Sequence, residues 1–282
     1  KHLMRQAFAR GGDPSVRSFR VDAGTDLKGL EISFPAIVKP TDRSGSRGIH
    51  LITDPRELGP AVADAIAQSL EKKALVEEFA EGKEYSVEYL SFRGEHHFLA
   101  VTEKRTTGAP RFIETGHLEP APLDGETEGR IRAAVEHALD SLEIRNGASH
   151  SEIKIDAQGN IRLIEIGARM GGDCIGSHLV RYAAGYDYLK MVIQVACGEA
   201  PDLTRAEDRF PAESVFIFTE EDLRELLRLQ AEEPEKLLEV TDLHPERIGH
   251  TTDMFNFINI LINGDWGLGI GDWGLGMGIG DW

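Results

Sequence analysis

The sequence predicts an α+β fold built on antiparallel sheets. Strand-like runs follow one another instead of alternating strictly with helices, and two stretches, 34–53 and 149–166, each read as a pair of strands joined by a polar turn. Residues 1–10 (KHLMRQAFAR) place Leu3, Met4, Ala7 and Phe8 on one helical stripe without a capping residue before it. The chain is therefore expected to begin at or inside a helix, with more protein before Lys1. FPAIVKP (34–40) is a short apolar strand that stops at a proline, TDRSGSRGI is a polar loop, and HLIT (50–53) is the returning strand. Asp54 is suited to cap a helix with Pro55 in its first turn, running to about residue 70. ALVEEF, KEYSVEYLSF and HHFLAVTEK are three strand-like runs rich in Val, Tyr and Phe. Residues 124–142 are amphipathic, with Ile131, Val135, Ala138, Leu139 and Leu142 on one side. The hairpin at 149–166 precedes a helical stretch at about 176–198, then a strand at 214–219 and a helix at 220–229.

The chain has 282 residues, 48 acidic against 31 Lys plus Arg, and a net charge of −17. That length fits one or two domains with a packed core. The acidic field repels phosphate, which excludes a general nucleic-acid binder or an anionic-membrane binder. Cys174 and Cys197 have no CxxC spacing and cannot form a disulfide framework, which fits a reducing, cytoplasmic compartment. No run approaches 18 apolar residues, so no bilayer span is expected, and no signal peptide opens the sequence.

The last stretch is unlike the rest. Gly-Asp-Trp recurs at Gly264, Gly271 and Gly280, and residues 263–282 hold all three tryptophans and eight of the thirty glycines. Glycine at this density opposes regular structure. Residues 255–282 are expected to be a non-native or disordered tail, and without its last three Asp the chain would carry −14 of its −17.

The segment SHSEIKIDAQGNIRLIEIGARMGGD carries the most chemistry. A turn at 157–160 with a loop of two or four residues puts Glu152 directly opposite Glu165, side chains on one face, whereas an odd loop would break that register. Two carboxylates at about 5 Å repel. A hard divalent cation removes the conflict, Mg²⁺ being the usual one with phosphates. The alternative is an ordinary solvated hairpin face. Arg169, four residues after Glu165, is either a phosphate-neutralising group or an exposed arginine.

Lys39 ends a buried strand just before Ser44-Gly45-Ser46-Arg47-Gly48. Small residues there let backbone N–H groups approach phosphate oxygens, and the lysine adds charge. The pattern is neither a Walker loop nor a GxGxxG fingerprint, and glycine-rich hairpin turns also occur without a ligand.

In order, these segments resemble the ATP-grasp superfamily from residue 1 to about 202. Its members make an acyl phosphate from a carboxylate and ATP, which a nucleophile then attacks. The resemblance implies a lid subdomain at 1–76, a metal-bearing subdomain at 77–202, and an extension at 203–254 that fits either a substrate cap or a homodimer contact. It implies that Lys39, Ser44, Gly45, Ser46 and Gly48 cover the triphosphate and that Lys1 is a further phosphate ligand. Glu77, Glu78 and Phe79, in LVEEF, would meet the adenine edge largely through backbone groups. Glu84 would hold the ribose, Ile164 would floor the adenine, and Glu152 and Glu165 would hold Mg²⁺ or Mn²⁺. Many members carry Glu-x-Asn, whose asparagine is a further metal ligand, where this chain has Glu165-Ile166-Gly167. A domain that usually precedes the lid is also not in this sequence.

Within the superfamily the chain is most similar to carboxylate–amine ligases of the L-amino-acid (dipeptide) ligase type. FIETGH would then set Glu114 at metal or amine substrate and His117 in the acceptor pocket, and Arg169 would hold the acyl phosphate. The partners implied are small carboxylate and amine substrates. Two alternatives stand beside an amide-forming ligase: a carboxylase or carbamoyl-phosphate type of ATP-grasp enzyme, and a nucleotide-binding module without turnover. Cys174, which has no spaced His base, is expected to be a packed thiol.

Overall fold

The protein's computed structural model describes residues 1–45, 47–109, 112–240 and 259–263, the last of these by backbone alone. The N-terminal stripe folds as α1 (His2–Gly11), with Ala7 and Phe8 buried. β1 (Ser18–Val21), β2 (Ala36–Pro40), β3 (His50–Ile52) and β4 (Ala74–Glu78) form an antiparallel sheet in the order β1-β4-β2-β3. The Asp54 carboxylate accepts from the Arg56 N–H and opens a single 3-10 turn, which runs into α2 (Leu58–Gln68). That helix lays Leu58, Ala61, Val62 and Ala65 onto Val38, Ile52 and Val76 of the sheet.

β5 (Lys83–Phe92), β6 (Glu95–Thr106), β7 (Glu114–Glu119), β8 (Gly147–Ile155), β9 (Ile161–Gly167), β10 (Ala212–Phe216), β11 (Leu237–Val240) and β12 (Asn259–Asn263) make the larger sheet. Its order is β11-β12-β10-β7-β6-β5-β8-β9. Period-two alternation gives β5 two unlike faces. Tyr85, Val87 and Tyr89 join Ile153 and Leu163 in a core closed by Phe8 of α1 and by Ile131, Val135 and Leu139 of α3 (Gly125–Ser141). Each large side chain so buried contributes about 2 kcal/mol. The opposite face carries Glu84, Ser86 and Glu88, and there the candidate site lies. At its far end Leu90, Leu99 and Ala148 pack against Val180, Tyr188 and Met191.

The helical stretch expected at 176–198 is two pieces. From Ile175 to Ala184 the backbone is wound more widely, the N–H groups of Leu179 and Gly185 reaching back five residues to Cys174 and Val180 at 3.0 Å each. α4 (Tyr188–Ala196) restarts after Asp187, whose side chain accepts from the Lys190 N–H. α5 (Glu220–Glu232) opens on a reciprocal cap between Thr219 and Asp222.

Several boundaries differ from the sequence-based expectation. β4 runs through the expected 76/77 border, and α1 puts Phe8 into the larger sheet's core while its Arg5 reaches Glu77 of β4. Residues 212–240 supply β10 and β11 to that sheet, with Leu226 and Leu229 of α5 packed on Val215 of β10. β12 lies inside the stretch expected to be a tail and pairs with both β10 and β11. Residues 241–258 and 264–282, with all three Gly-Asp-Trp repeats, lie outside the described residues. No helix among the described residues is long and apolar enough to cross a membrane.

Candidate active site

A cavity of about 310 Å³ opens between the two sheets, lined by β2, the loop after it, β4 and the site face of the larger sheet. On the small-sheet side, Lys39 Nζ lies 2.6 Å from Glu77 Oε2. Arg5 grips the same carboxylate, Nε to Oε1 at 2.7 Å and Nη2 to Oε2 at 3.1 Å. Burial alone would raise the Glu77 pKa, but these two cations hold it at about 2. Burial pushes Lys39 down, partly offset by Glu77. Arg5 Nη1 also donates to the Leu163 carbonyl at 3.1 Å, tying the pair to β9. Gly45 and Gly48 both have left-handed φ, 63° and 71°. At Gly48 a Cβ would come within 2.8 Å of Gln68 and 2.9 Å of Pro40, so the loop needs glycine there. Ser44 and Gly45 line the cavity, while Ser46 lies outside the described residues.

Where a nucleobase is expected, the N–H groups of Glu78 and Phe79 are already donated to Arg17 and Pro35, at 3.0 and 3.2 Å. Phe79 and Phe112 instead offer a ring pair with centroids 6.1 Å apart, and Lys154 Nζ lies 5.2 and 5.5 Å from the two centroids. Ile37 and Ile164 line the same cavity.

Glu152 does face Glu165, by a route the sequence did not reveal. The turn is odd, with Ile155 opposite Ile161, which would have broken the expected register. A bulge in β9 at Ile164 restores it, so that Ile153 pairs with Leu163 while Glu152 pairs with Glu165. The extra residue also turns both Ile164 and Glu165 into the cavity. Their carboxylates have different partners: Lys1 binds Glu165, and Lys104 lies 3.1 Å from Glu152 Oε1.

Lys104 also meets Glu84 and Glu114, so Glu84 belongs to an acid cluster with Glu114 and Glu152. Burial opposes ionisation of Glu152, yet Lys104 and His150 keep its carboxyl well below the usual range. Glu114 is likewise low, burial being outweighed by His117 and Lys104. Behind Glu152, His150 is hydrogen-bonded through Nδ1 to buried Glu88, and its Nε2 lies 3.6 Å from Glu152 Oε1. Burial would lower His150, but the two carboxylates push it up to about 9, so at neutral pH it is a cation orienting Glu152. Glu88 also accepts from the Gly171 N–H at 2.9 Å, fixing the GARMGG segment. Within that segment, Arg169 lines the cavity and donates to the Met170 carbonyl at 2.7 Å.

His117 is fully buried, edge-on to Phe216, with Nε2 3.2 Å from Glu114 Oε2 and 4.0 Å from Asp173 Oδ2. Neither ring nitrogen makes a well-aligned hydrogen bond. Asp173 and Cys174 take left-handed φ values of 50° and 65°, strain that holds the Asp173 carboxylate beside this pair. Cys174 is half-buried against Ile175 and Leu179.

Glu152 and Glu165 with Glu84 and Glu114 are hard oxygen donors whose partners include Lys1, Lys104, His117 and His150, and one oxygen each of Glu84, Glu114 and Glu152 lies within 4.8 Å of the others. The donor set therefore fits Mg²⁺ or Mn²⁺. Gly167 stands where the further asparagine would be and lines the cavity. Sequence reasoning missed Arg5, Lys104, His150 and Lys154. The alternation of His150, Glu152 and Lys154 along β8 was a legible signal for two of them.

A model of the ATP-grasp domain matches residues 32–177. This chain belongs to the ATP-grasp family. Alanine–anticapsin ligase of Bacillus subtilis (strain 168) is 31% identical over 228 residues, 72% of this chain and 48% of the relative. Carnosine synthase 1 of Homo sapiens is 28% identical over 209 residues, covering 70% and 25%. The chain thus spans about half the length, or less, of these curated relatives. The crystal structure of L-amino acid ligase from Bacillus licheniformis superposes with a TM-score of 0.76 at 24% identity, covering 94% of this chain and 68% of that one. The two sheets are thus an ATP-grasp fold, with the cavity between them.

Proposed function

We propose that this ATP-grasp chain carries the nucleotide site of an ATP-dependent carboxylate–amine ligase, which forms an amide or peptide bond through an acyl phosphate and releases ADP and phosphate. The carrying observation is the Glu152–Glu165 pair facing Lys39 across one cavity, with Glu114 and His117 beside it. Its relatives are named for joining reactions, alanine–anticapsin ligase and carnosine synthase among them.

In this reading Lys39, the Gly45–Gly48 loop amides and Lys1 hold the triphosphate. Bound Mg²⁺ or Mn²⁺, held by Glu152 and Glu165, would supply a Lewis acid that offsets phosphate charge. A substrate carboxylate oxygen attacks the γ-phosphorus and ADP departs, with Arg169 countering the charge on the transferred group. An amine then attacks the acyl carbon, phosphate leaves, and the amine's proton must go to a base. His117, beside Glu114, is our candidate for that base. Phe79, Phe112 and Ile164 exclude water from the base end of the cavity.

The test is ADP release with MgATP and a panel of amino acids, products read by mass spectrometry, alongside calorimetric MgATP binding. Amino-acid-dependent ADP with an amide product is expected, and Glu165→Gln should lower it by at least about a hundredfold. ADP release that needs bicarbonate instead would replace the proposal with a carboxylase. MgATP binding without turnover on any carboxylate or amine would reduce the chain to a binding module.

A further inference from the structure

Lys104 sits at the centre of the acid cluster. Its ammonium is 3.1 Å from Glu84 Oε1, 2.8 Å from Glu114 Oε1 and 3.1 Å from Glu152 Oε1. Neighbouring strands of one sheet deliver these groups: β6 brings the lysine, β5 sets Glu84 opposite it in register, and β7 and β8 supply Glu114 and Glu152. The three contacts use all the donors an ammonium has. Three carboxylates this close repel strongly unless a cation lies among them. The same three carboxylates, Glu84, Glu114 and Glu152, form a group that could hold a divalent cation.

We propose that Lys104 is a positioning residue that keeps this site closed to a free divalent cation and opens it to the metal–nucleotide complex. A dication approaching Glu152 alone meets an ammonium already on that carboxylate and is repelled by it. A triphosphate reverses the sign, because its negative charge turns Lys104 from a competitor of the metal into an attractive neighbour of the complex. Lys154, 3.9 Å from Glu84 Oε2, and Lys39 and Lys1 on the same cavity act in the same sense. The metal therefore enters with its nucleotide. The nucleotide half of this inference rests on the ATP-dependent reading above, and the metal-alone half on the charges only.

The experiment measures Mn²⁺ binding, by electron paramagnetic resonance and calorimetry, with and without ATP. It compares the unmodified chain with Lys104→Met and Lys104→Arg. Lys104→Met should bind Mn²⁺ alone about tenfold tighter and MnATP about tenfold weaker, while Lys104→Arg keeps the original order. A purely structural lysine would weaken both together. That result, or an unchanged affinity for Mn²⁺ alone, overturns the proposal. Because Lys104→Met leaves three acids facing one another, its melting is also followed. Mn²⁺ should raise its Tm more than that of the unmodified chain, and an equal or smaller rise counts against the proposal. An unmodified chain that binds no MnATP sinks the ATP-dependent reading and the nucleotide half with it. One that binds MnATP, with no inversion in Lys104→Met, sinks this inference alone.

Discussion

Glu77 is buried on β4 and stays ionised because Lys39 and Arg5 both reach it. Glu77→Gln leaves two cations buried against a neutral amide, and the expected loss is about 3–5 kcal/mol in urea unfolding at pH 7. A loss under about 1 kcal/mol would show that the ion triad adds little. The pH dependence has a definite sign. The folded value, about 2, lies below the ordinary 4.5, so the unfolded chain takes up the proton first. The contribution is full above pH 4.5 and fades as pH falls toward 2, so the gap between the unmodified chain and Glu77→Gln should narrow over that window. The sequence singled out Lys39 and Glu77, but not that they touch or that Arg5, 72 positions before Glu77, joins them, because only folding brings the three together.

At the scale of elements, the hairpin β8–β9 and the turn before β5 matter most. Strand alternation made the face of Glu152 legible, while the odd turn and the compensating bulge at Ile164 were not. A bulge depends on how two strands settle against a core, here on Leu163 staying buried while Glu165 turns outward. That turn depends on Gly82, at φ 110°. A Cβ there would stand 2.1 Å from the Ile155 carbonyl oxygen, so β5 and β8 would have to part at their shared end. Gly82→Ala should cost roughly 2–3 kcal/mol, read as a lower urea midpoint with an unchanged slope. An unaltered midpoint would mean that the backbone relaxes freely there.

The whole molecule carries its −17 unevenly, with several acids inside the larger sheet. Glu213 on β10 is pushed up to about 7 by burial, against the pull of Arg105. Here the folded state holds the proton more tightly, so stability falls as pH rises from 4.5 through 7. Glu213→Gln mimics the protonated form. It should match the unmodified chain near pH 4 and be more stable by about 2 kcal/mol at pH 8, with thermal melts at both values as the check. Equal melting at pH 8 would show that Arg105 fully compensates the buried charge. Buried Glu119, also shifted well above the usual range by burial, slopes the same way. The sheet's edge order β11-β12-β10 brings residues 212–240 into the same unit as the site, which sequence order alone did not suggest.

What the sequence determined by itself was whatever short-range patterning encodes: the succession of strands, the apolar stripe of α3, the Asp54 cap, the face on which Glu152 lies, and a lysine beside a glycine loop. These follow from periods of two and 3.6 residues and from local hydrogen bonds. Only the tertiary structure decided that β6 lies between β5 and β7, which sets Lys104 among Glu84, Glu114 and Glu152. It alone brought α1 across to Glu77, and His150 between Glu88 and Glu152. Ion pairs act over a few ångströms regardless of sequence distance. Their partners are therefore fixed by strand order and packing, which no local pattern records.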